Sequence, residues 1–220
     1  HNYERIVTFA PFRLLGGEKA IKEPRRSALA LLFEIYTLDE IDTLQLATLN
    51  SFSKEEISML HRAWEQGINA PLSSSMGRLF DAVASFADIV HVSSFEGESG
   101  LLMEQYVDES ITENFPFDID NGIINLQPMV HKMIKMENKK ELVSTFFNTI
   151  IEIIFHIATE HPELPLLFSG GVFQNKVLVE KISQRCKAEN RTCYFQNETP
   201  INDGGIALGQ AWYALHHLSK

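Results

Sequence analysis

Apolar residues recur every three or four positions along most of the first 160 residues, which is the spacing of amphipathic helices. The pattern predicts helices at residues 26–36, 42–50, 55–64, 77–87, 98–106 and 139–161. Pro24 stands where the first helix could begin, and Pro162 and Pro165 follow the longest one. Ser53 with Glu56 three residues later predicts a capping box at the start of the third helix. This part of the chain is therefore expected to be rich in helix.

The pattern changes after residue 164. Short apolar runs at 164–168 and 192–195 predict two strands, and each is followed by a glycine turn and a helix, at 172–188 and from 202 to 215. A further strand is expected at 5–12, and residues 108–129 are expected to form loop and strand. Alternating strand, turn and helix indicates an α/β fold, in which the strands ending near Phe168 and Phe195 share one sheet.

Composition and charge narrow the class of protein. The 220 residues are 45% hydrophobic, so a hydrophobic core is expected. The net charge of −10 disfavours nucleic acid as a partner, because binding to a phosphate backbone depends on positive charge. No apolar run is expected to reach the roughly 18 residues of a membrane span, because Asn148, Glu152 and His156 interrupt the longest helix. Cys186 and Cys193 are too few for a disulfide framework, so free thiols in a reducing cytoplasm are expected. The chain begins His-Asn-Tyr and is expected to be a fragment of a longer protein.

Two glycine turns are the first candidates for chemistry. Ser169-Gly170-Gly171 and Asn202-Asp203-Gly204-Gly205 each join an expected strand to an expected helix, where backbone N–H groups can receive an anion such as phosphate. Neither turn fits the P-loop or the dinucleotide-binding pattern. Tight packing at a strand–helix corner is the alternative explanation for these glycines.

Two aspartates are open to two interpretations each. Asp203 stands at a helix start, where it could serve as N-cap or project a carboxylate toward a metal or a metal-bound phosphate. Asp81 falls near the polar side of the helix at 77–87, where it is either a solvated residue or an acceptor for ribose hydroxyls. Histidines at metal-ligand spacing and a nucleophile set are not found in the sequence.

Several motifs together resemble the C-terminal end of the HypF family, the carbamoyltransferases of nickel–iron hydrogenase maturation. The matching segments are Phe12-Arg13-Leu14 with Gly16-Gly17, Met76-Gly77-Arg78-Leu79-Phe80-Asp81-Ala82-Val83, Phe95-Glu96-Gly97, Ser169-Gly170-Gly171-Val172-Phe173-Gln174-Asn175 and Asn202-Asp203-Gly204-Gly205-Ile206-Ala207-Leu208-Gly209-Gln210. They span the chain in the family's order. One departure is Phe147, because relatives often have histidine at that position.

The resemblance implies the second part of an actin-like ATPase (ASKHA) fold, helix-rich with a small mixed sheet. Residues 1–220 would then be the C-terminal part of a threonylcarbamoyl-transferase-like domain of a longer protein, with a candidate helical insertion at about 37–72. The acylphosphatase-like domain, the zinc fingers, the carbamoyl-adenylate-forming domain, the His-rich metal motif and an Asp-Gly-x-Gly segment of full-length relatives are absent from this sequence. The fragment alone is therefore expected to be incomplete and inactive.

The resemblance also implies an activity and its partners. Family members use carbamoyl phosphate and ATP, and transfer the carbamoyl group from a carbamoyl-adenylate to the C-terminal cysteine of the protein HypE, for the cyanide ligands of the hydrogenase iron. No nucleic acid or membrane takes part. The attacking thiolate comes from the partner, so no catalytic residue is assigned within this chain.

The same resemblance implies roles for individual residues. Gly77 and Asp81 would lie at the ribose side of the nucleotide ATP or AMP. Gly170, Gly171 and Asn175 would follow the adenosine or the phosphates. Asp203 would be a ligand to a divalent metal, either zinc or iron or magnesium.

Two other functions stay open from the sequence. The tRNA threonylcarbamoyl-transferases share the Gly-Gly-Val…Asn and Asp-Gly segments, but their tRNA partner fits a charge of −10 poorly. A nucleotide-binding or interaction module without turnover is the second alternative, because the chain lacks most of the metal ligands.

Overall fold

The computed structural model describes residues 4–217, with side chains through residue 216. The chain divides into two compact units, with the boundary between residues 153 and 154. The first unit holds most of the helices, and the second has a strand–turn–helix pattern that occurs twice. Each unit is described by itself.

Short strands and helices alternate in the first unit. Its strands are β1 (Thr8–Phe9), β2 (Phe12–Arg13), β3 (Leu72–Ser73), β4 (Asp118–Asp120) and β5 (Ile123–Asn125). Its helices are α1 (Lys19–Lys22), α2 (Pro24–Phe33), α3 (Leu38–Thr43), α4 (Ala47–Asn50), α5 (Lys54–Glu65), α6 (Met76–Phe86), α7 (Glu98–Met103) and α8 (Gln127–Met133), with a 3₁₀ turn at Glu104–Tyr106. Helix α9 (Lys139–Thr159) runs across the boundary into the second unit.

The strands of the first unit form two small sheets. Strand β5 pairs in parallel with β1 and antiparallel with β4, which makes a mixed three-stranded sheet, and β2 pairs antiparallel with β3. Asn121 and Gly122 join β4 to β5 with φ values of 49° and 75°, the left-handed pair of a tight hairpin. A Cβ at Gly122 would stand 2.5 Å from the carbonyl oxygen of Ile6, so only glycine fits this turn.

The core of the first unit lies around α2, α6 and α9. Phe80 of α6 packs edge-to-face against Phe146 and Phe147 of α9, with ring centroids 5.0 and 5.5 Å away. Phe147 is 0% exposed. Its aromatic ring therefore has a packing role in this core.

Helix α9 corrects one expectation from the sequence. Its 21 residues are long and apolar enough, by length and composition, to cross a membrane, despite Asn148, Glu152 and His156. Two thirds of its most apolar window is buried inside the protein. This burial is the pattern of a core helix.

The second unit repeats strand, glycine turn and helix. Its elements are β6 (Leu166–Phe168), a 3₁₀ turn at Gly171–Gln174, α10 (Lys176–Ala188), β7 (Cys193–Phe195), a 3₁₀ turn at Asp203–Gly205 and α11 (Ile206–His217). Strands β6 and β7 are parallel, with Phe168 opposite Phe195, so the expected shared sheet is confirmed. These two rings stack at 4.9 Å.

Local hydrogen bonds explain where the expected element boundaries were wrong. The helix expected at 42–50 is two helices, because a capping box of Thr37 and Glu40 starts α3 early and Leu44 is extended. Ser53 caps α5 as expected, but the carboxylate of Glu56 lies 3.4 Å from Arg25 Nη2 instead of closing the expected box. The stretch 37–72 is helical in α3, α4 and α5, and its status as an insertion stays a prediction.

Candidate functional site

The two glycine turns of the second unit lie together at the carboxyl ends of β6 and β7. Gly170 donates its N–H to the carbonyl oxygen of Ile201 at 2.8 Å, and Ser169 Oγ donates to Gln196 Oε1 at 3.0 Å. In sheets with parallel strands, ligands bind at the carboxyl ends of the strands. The fold therefore assembles both sequence-predicted turns at the edge where a ligand is expected.

Packing explains the glycine at position 205 of the second turn but not the glycine at position 171 of the first. A Cβ at Gly205 would stand 2.5 Å from the carbonyl oxygen of Pro200, so tight packing explains this glycine. A Cβ at Gly171 would meet Asn202 Cβ and Gln174 Oε1 only at 3.9 Å, an ordinary contact. Packing within the second unit therefore does not require glycine at position 171.

At Gly170, the backbone conformation explains why the residue is glycine. Its φ is 111° and its ψ is 156°, a conformation that side-chain-bearing residues rarely adopt, and a Cβ there would meet nothing within 4 Å. The backbone conformation therefore favours glycine at position 170, and the space beside its Cα is open.

Asn175 is the N-cap of α10. Its Oδ1 accepts a hydrogen bond from the N–H of Leu178 at 2.9 Å, and the residue is 7% exposed. This cap explains why the helix expected from residue 172 begins only at Lys176. The nucleotide-binding role of Asn175 stays a prediction.

The capping interpretation of Asp203 is wrong, because its neighbour Asn202 takes that role. Asn202 Oδ1 accepts from the N–H of Gly204 at 3.0 Å, and Asn202 is the N-cap of the 3₁₀ turn that starts with Asp203. Asp203 itself is exposed. Within residues 4–217, no group of three or more His, Cys, Asp or Glu side chains is arranged to hold a metal ion.

Gly77 and Asp81 lie on α6 in the first unit. Gly77 stands in the first turn of this helix, where an added Cβ would meet Ser75 Oγ at 3.6 Å, again an ordinary contact. Packing in the first unit therefore leaves room for a side chain at position 77.

Asp81 is buried, and the solvated interpretation from its sequence position is wrong. The residue is 4% exposed, Ser99 Oγ donates to its Oδ1 at 2.6 Å, and Arg78 Nη1 lies 2.6 Å from its Oδ2. The Oδ2 contact is an ion pair without hydrogen-bond geometry, and Arg78 Nη1 donates instead to the carbonyl oxygen of Ala20 at 3.2 Å.

The environment raises the pKa of Asp81 to about 6. Burial is the main cause, because it removes water from the charged form, and the negative charge of Glu96 adds to it. Arg78 and the hydrogen bond from Ser99 oppose the shift. Asp81 is thus a carboxyl group that titrates close to neutral pH.

Sequence reasoning missed the two residues that hold Asp81. Arg78 precedes Asp81 by three positions, a spacing that places both side chains on one face of a helix. This spacing could have revealed the pair. Ser99 lies 18 residues downstream on α7, and local sequence carries no signal for that contact.

The sequence-predicted residues therefore form two groups. Gly170, Gly171 and Asp203 belong to the paired turns of the second unit, with Asn175 at the start of the helix that follows. Gly77 and Asp81 lie on α6 of the first unit. That both groups contact one nucleotide, as the resemblance implies, stays a prediction.

Comparisons with known proteins identify the family. Residues 1–210 match the family model described as "Carbamoyltransferase, Kae1-like Domain, second subdomain". The chain is 32% identical to Carbamoyltransferase HypF of Synechocystis sp. over 94% of its own length and 30% of the relative's. It is 28% identical to Probable carbamoyltransferase HypF of Methanocaldococcus jannaschii, over 94% of its own length and 28% of the relative's.

Solved structures agree with the sequence matches. A full-length HypF crystallised in the phosphate- and nucleotide-bound form superimposes with a TM-score of 0.86 at 27% identity, and covers all of this chain and 35% of that one. HypF of T. kodakarensis shows the same fold, with a TM-score of 0.81 and 22% identity over 98% of this chain and 30% of that one. The expected fold class, the helix-rich second part of an actin-like domain with small mixed sheets, is confirmed.

The chain spans about 30% of the length of the curated HypF proteins that it matches. The family model nevertheless covers nearly all of the chain, as a second subdomain. The chain therefore belongs to the HypF carbamoyltransferase family, in which it corresponds to the second subdomain of the Kae1-like domain.

Proposed function

We propose that this chain forms the nucleotide-side half of a carbamoyltransferase site in the intact protein. The observation that carries the proposal is the pair of turns at the ends of β6 and β7, in which Gly171 has no packing reason to be glycine. A related HypF is described as phosphate- and nucleotide-bound, which supports a nucleotide as the ligand of this region.

In the proposed complex, the backbone at Gly170 and Gly171 approaches the nucleotide closely because no side chain stands between. The N–H of Gly170 is already donated to Ile201, so any N–H contact with the phosphates would come from other residues of the turn. Gly77 leaves similar room on α6, and Asp81 accepts hydrogen bonds from ribose hydroxyls. Because Asp81 is buried, ribose contact requires that its carboxylate become accessible, and its Oδ2, which accepts no hydrogen bond from the described residues of the free protein, could then accept one from the sugar. The substrate is carbamoyl-adenylate, made from carbamoyl phosphate and ATP.

The transfer step itself needs no nucleophile from this chain. The thiolate of the C-terminal cysteine of HypE attacks the carbamoyl carbon, a sulfur–carbon bond forms, and the bond from that carbon to the phosphate oxygen breaks. AMP leaves with the bonding electron pair. The product is the thiocarbamate from which the cyanide ligands of the hydrogenase iron are made.

A divalent metal would use Asp203 as one ligand. A lone exposed carboxylate does not make a closed site, because such sites usually have three or four protein ligands. Asp203 would thus supply one ligand to the ion, and the other ligands would come from outside residues 4–217. The ion would supply positive charge that neutralises phosphate.

The experiment follows the carbamoyl carbon in the full-length protein. Labelled carbamoyl phosphate and ATP are supplied with HypE, with HypE lacking its C-terminal cysteine, or with tRNA. We expect label on intact HypE alone and release of AMP in equal amount. Label on tRNA would support the threonylcarbamoyl-transferase alternative, and ATP binding without any transfer would support the module without turnover.

The proposed reaction takes place in the cytoplasm and involves neither nucleic acid nor membrane.

A further inference from the structure

Arg78 connects the carboxylate of Asp81 to helix α1. Its Nη1 lies 2.6 Å from Asp81 Oδ2 and donates a hydrogen bond to the carbonyl oxygen of Ala20, in α1, at 3.2 Å. The side chain of the arginine is 12% exposed and that of the aspartate 6%. The guanidinium is therefore held from α1, and it places a positive charge against one carboxylate oxygen.

The two carboxylate oxygens of Asp81 have different surroundings. Ser99 Oγ of α7 donates to Oδ1 at 2.6 Å, whereas Oδ2 accepts no hydrogen bond from the described residues, although Arg78 lies beside it. Each oxygen of an ionised carboxylate can accept hydrogen bonds. Ser99 thus orients the carboxylate, Arg78 supplies charge, and Oδ2 keeps an unused capacity to accept.

Arg78 is the positive charge that favours the ionised form of Asp81. Burial removes water from the carboxylate, and Glu96, in the loop before α7, adds negative charge, so both favour the protonated form. Other charged side chains on or beside the helices that pack around α6 have partners of their own: Arg25 and Arg26 pair with Glu23 and Glu56, Lys139 pairs with Asp88, and Glu98 accepts the N–H of Ser94.

We propose that Arg78 is a positioning residue for nucleotide binding, which keeps Asp81 ionised so that Oδ2 can accept a hydrogen bond from a ribose hydroxyl. The proposal rests on the nucleotide site proposed above, and adds to it the residue that makes Asp81 a charged acceptor. A hydrogen bond to an ionised acceptor is roughly twice as strong as one between neutral groups. Arg78 acts through Asp81 and needs no contact with the nucleotide.

The ribose contact should therefore depend on pH. The pKa of Asp81 is raised to about 6, mainly by burial, and Arg78 is the larger of the two influences that oppose this rise. The hydrogen bond from the ribose should strengthen as the pH rises through 6, because the carboxyl group then loses its proton. Without the charge of Arg78, only Ser99 opposes the effect of burial, so the same change should need a higher pH.

The test compares the binding of a non-hydrolysable ATP analogue and of its 2′,3′-dideoxy counterpart to the full-length protein, between pH 5 and pH 9. Both compounds carry the same phosphates, so the ratio of their affinities isolates the contribution of the ribose hydroxyls. In the wild type we expect this ratio to rise about tenfold between pH 5 and pH 7, because the ionised fraction of Asp81 rises by about that factor around a pKa of about 6.

Variants at position 78 separate charge from structure. Arg78→Gln removes the charge and should move the rise of the ratio to higher pH, by about one to three units. Arg78→Lys keeps the charge and should retain the wild-type profile, as should Arg62→Gln, the matched control at an exposed arginine of α5. If Arg78→Gln weakened both compounds equally at every pH and left the midpoint in place, its role would be structural and the proposal would be overturned.

The wild type also decides by itself, so a variant that fails to fold does not weaken the test. If the wild type binds both compounds with a ratio that does not vary with pH, the role of Arg78 is overturned while nucleotide binding stands. If neither compound binds the wild type at any pH, the proposed function fails, and the role of Arg78 fails with it.

Discussion

At the scale of single residues, Asp81 is the group whose environment departs most from its sequence position. The residue is buried against Arg78 and Ser99, and its pKa of about 6 lies above its ordinary value of 3.8. Between these two values the folded protein binds a proton that the unfolded chain has released. The stabilisation from protonated Asp81 is therefore full below pH 3.8 and is lost as the pH rises through 6.

We predict that Asp81→Asn changes how stability depends on pH. Relative to this variant, the wild type should lose about 2–3 kcal/mol of unfolding free energy between pH 4 and pH 7, because one pKa unit corresponds to about 1.4 kcal/mol and this range covers most of the interval between 3.8 and about 6. Denaturant unfolding of both proteins across this range measures the difference. Asp39→Asn, at an exposed aspartate of α3, is the matched control and should run parallel to the wild type. A difference between wild type and Asp81→Asn that does not vary with pH would contradict the pKa of Asp81.

Asp203→Asn separates a ligand role from a structural role. Because Asn202 already caps the turn and Asp203 is exposed, the substitution should change thermal stability little. If Asp203 binds a metal, the full-length variant should lose metal content and carbamoyl transfer together, since the charge of the ligand is removed. Metal analysis and the transfer assay are the measurements. Wild-type levels of both in the variant would remove Asp203 from the metal site.

At the scale of elements, the helices α6 and α9 are held together by aromatic contacts. We predict that Phe147→Ala lowers the free energy of unfolding by about 3–5 kcal/mol, because it leaves a cavity between Phe80 and Phe146. Chemical denaturation gives the value. Phe95→Ala removes a ring that is 53% exposed, and should cost less than about 0.5 kcal/mol. Equal costs at the two positions would mean that Phe147 does not pack as described.

The start of α10 depends on one side chain. We predict that Asn175→Ala destabilises the second unit by about 1 kcal/mol, because the N–H of Leu178 loses its acceptor, whereas Asn175→Asp keeps the cap. Thermal unfolding of the two variants compares them directly. If Asn175→Asp retains stability but loses nucleotide affinity, the amide has a ligand role beyond capping. A fully stable Asn175→Ala would contradict the capping role.

Much of the element order follows from local sequence, and the exceptions have physical causes. Helical spacing and Pro24 identify α2, and the apolar runs around Phe168 and Phe195 identify the parallel strands, because these signals are local. The helical spacing predicts too early a start for α10, because Asn175 offers a better cap than the residues before it. The burial of Asp81 could not be predicted, since Ser99 approaches it from another helix.

For the whole molecule, the sequence motifs and the observed fold indicate the same family, and they do so within each of the two units. The paired turns of the second unit and the α6 residues of the first unit are the segments that resemble motifs of one family, and the family model covers both. Neither turn fits a general phosphate-binding motif, so the local sequence of one turn does not identify this family. The resemblance of several segments together identifies it, and the structural match over the full chain agrees with it.

The proposed function depends on a nucleotide binding at the turn of Gly170 and Gly171 in the intact protein. Calorimetric titration of a non-hydrolysable ATP analogue into full-length wild type, Gly171→Ala and Gly171→Val tests it most directly, with thermal unfolding as the folding control. Because a Cβ at position 171 has room in the free protein, all three should unfold at similar temperatures. We predict graded loss of affinity, at least tenfold for valine, since the side chain would occupy the space of the ligand. Unchanged affinity in a folded Gly171→Val variant would contradict nucleotide binding at this turn.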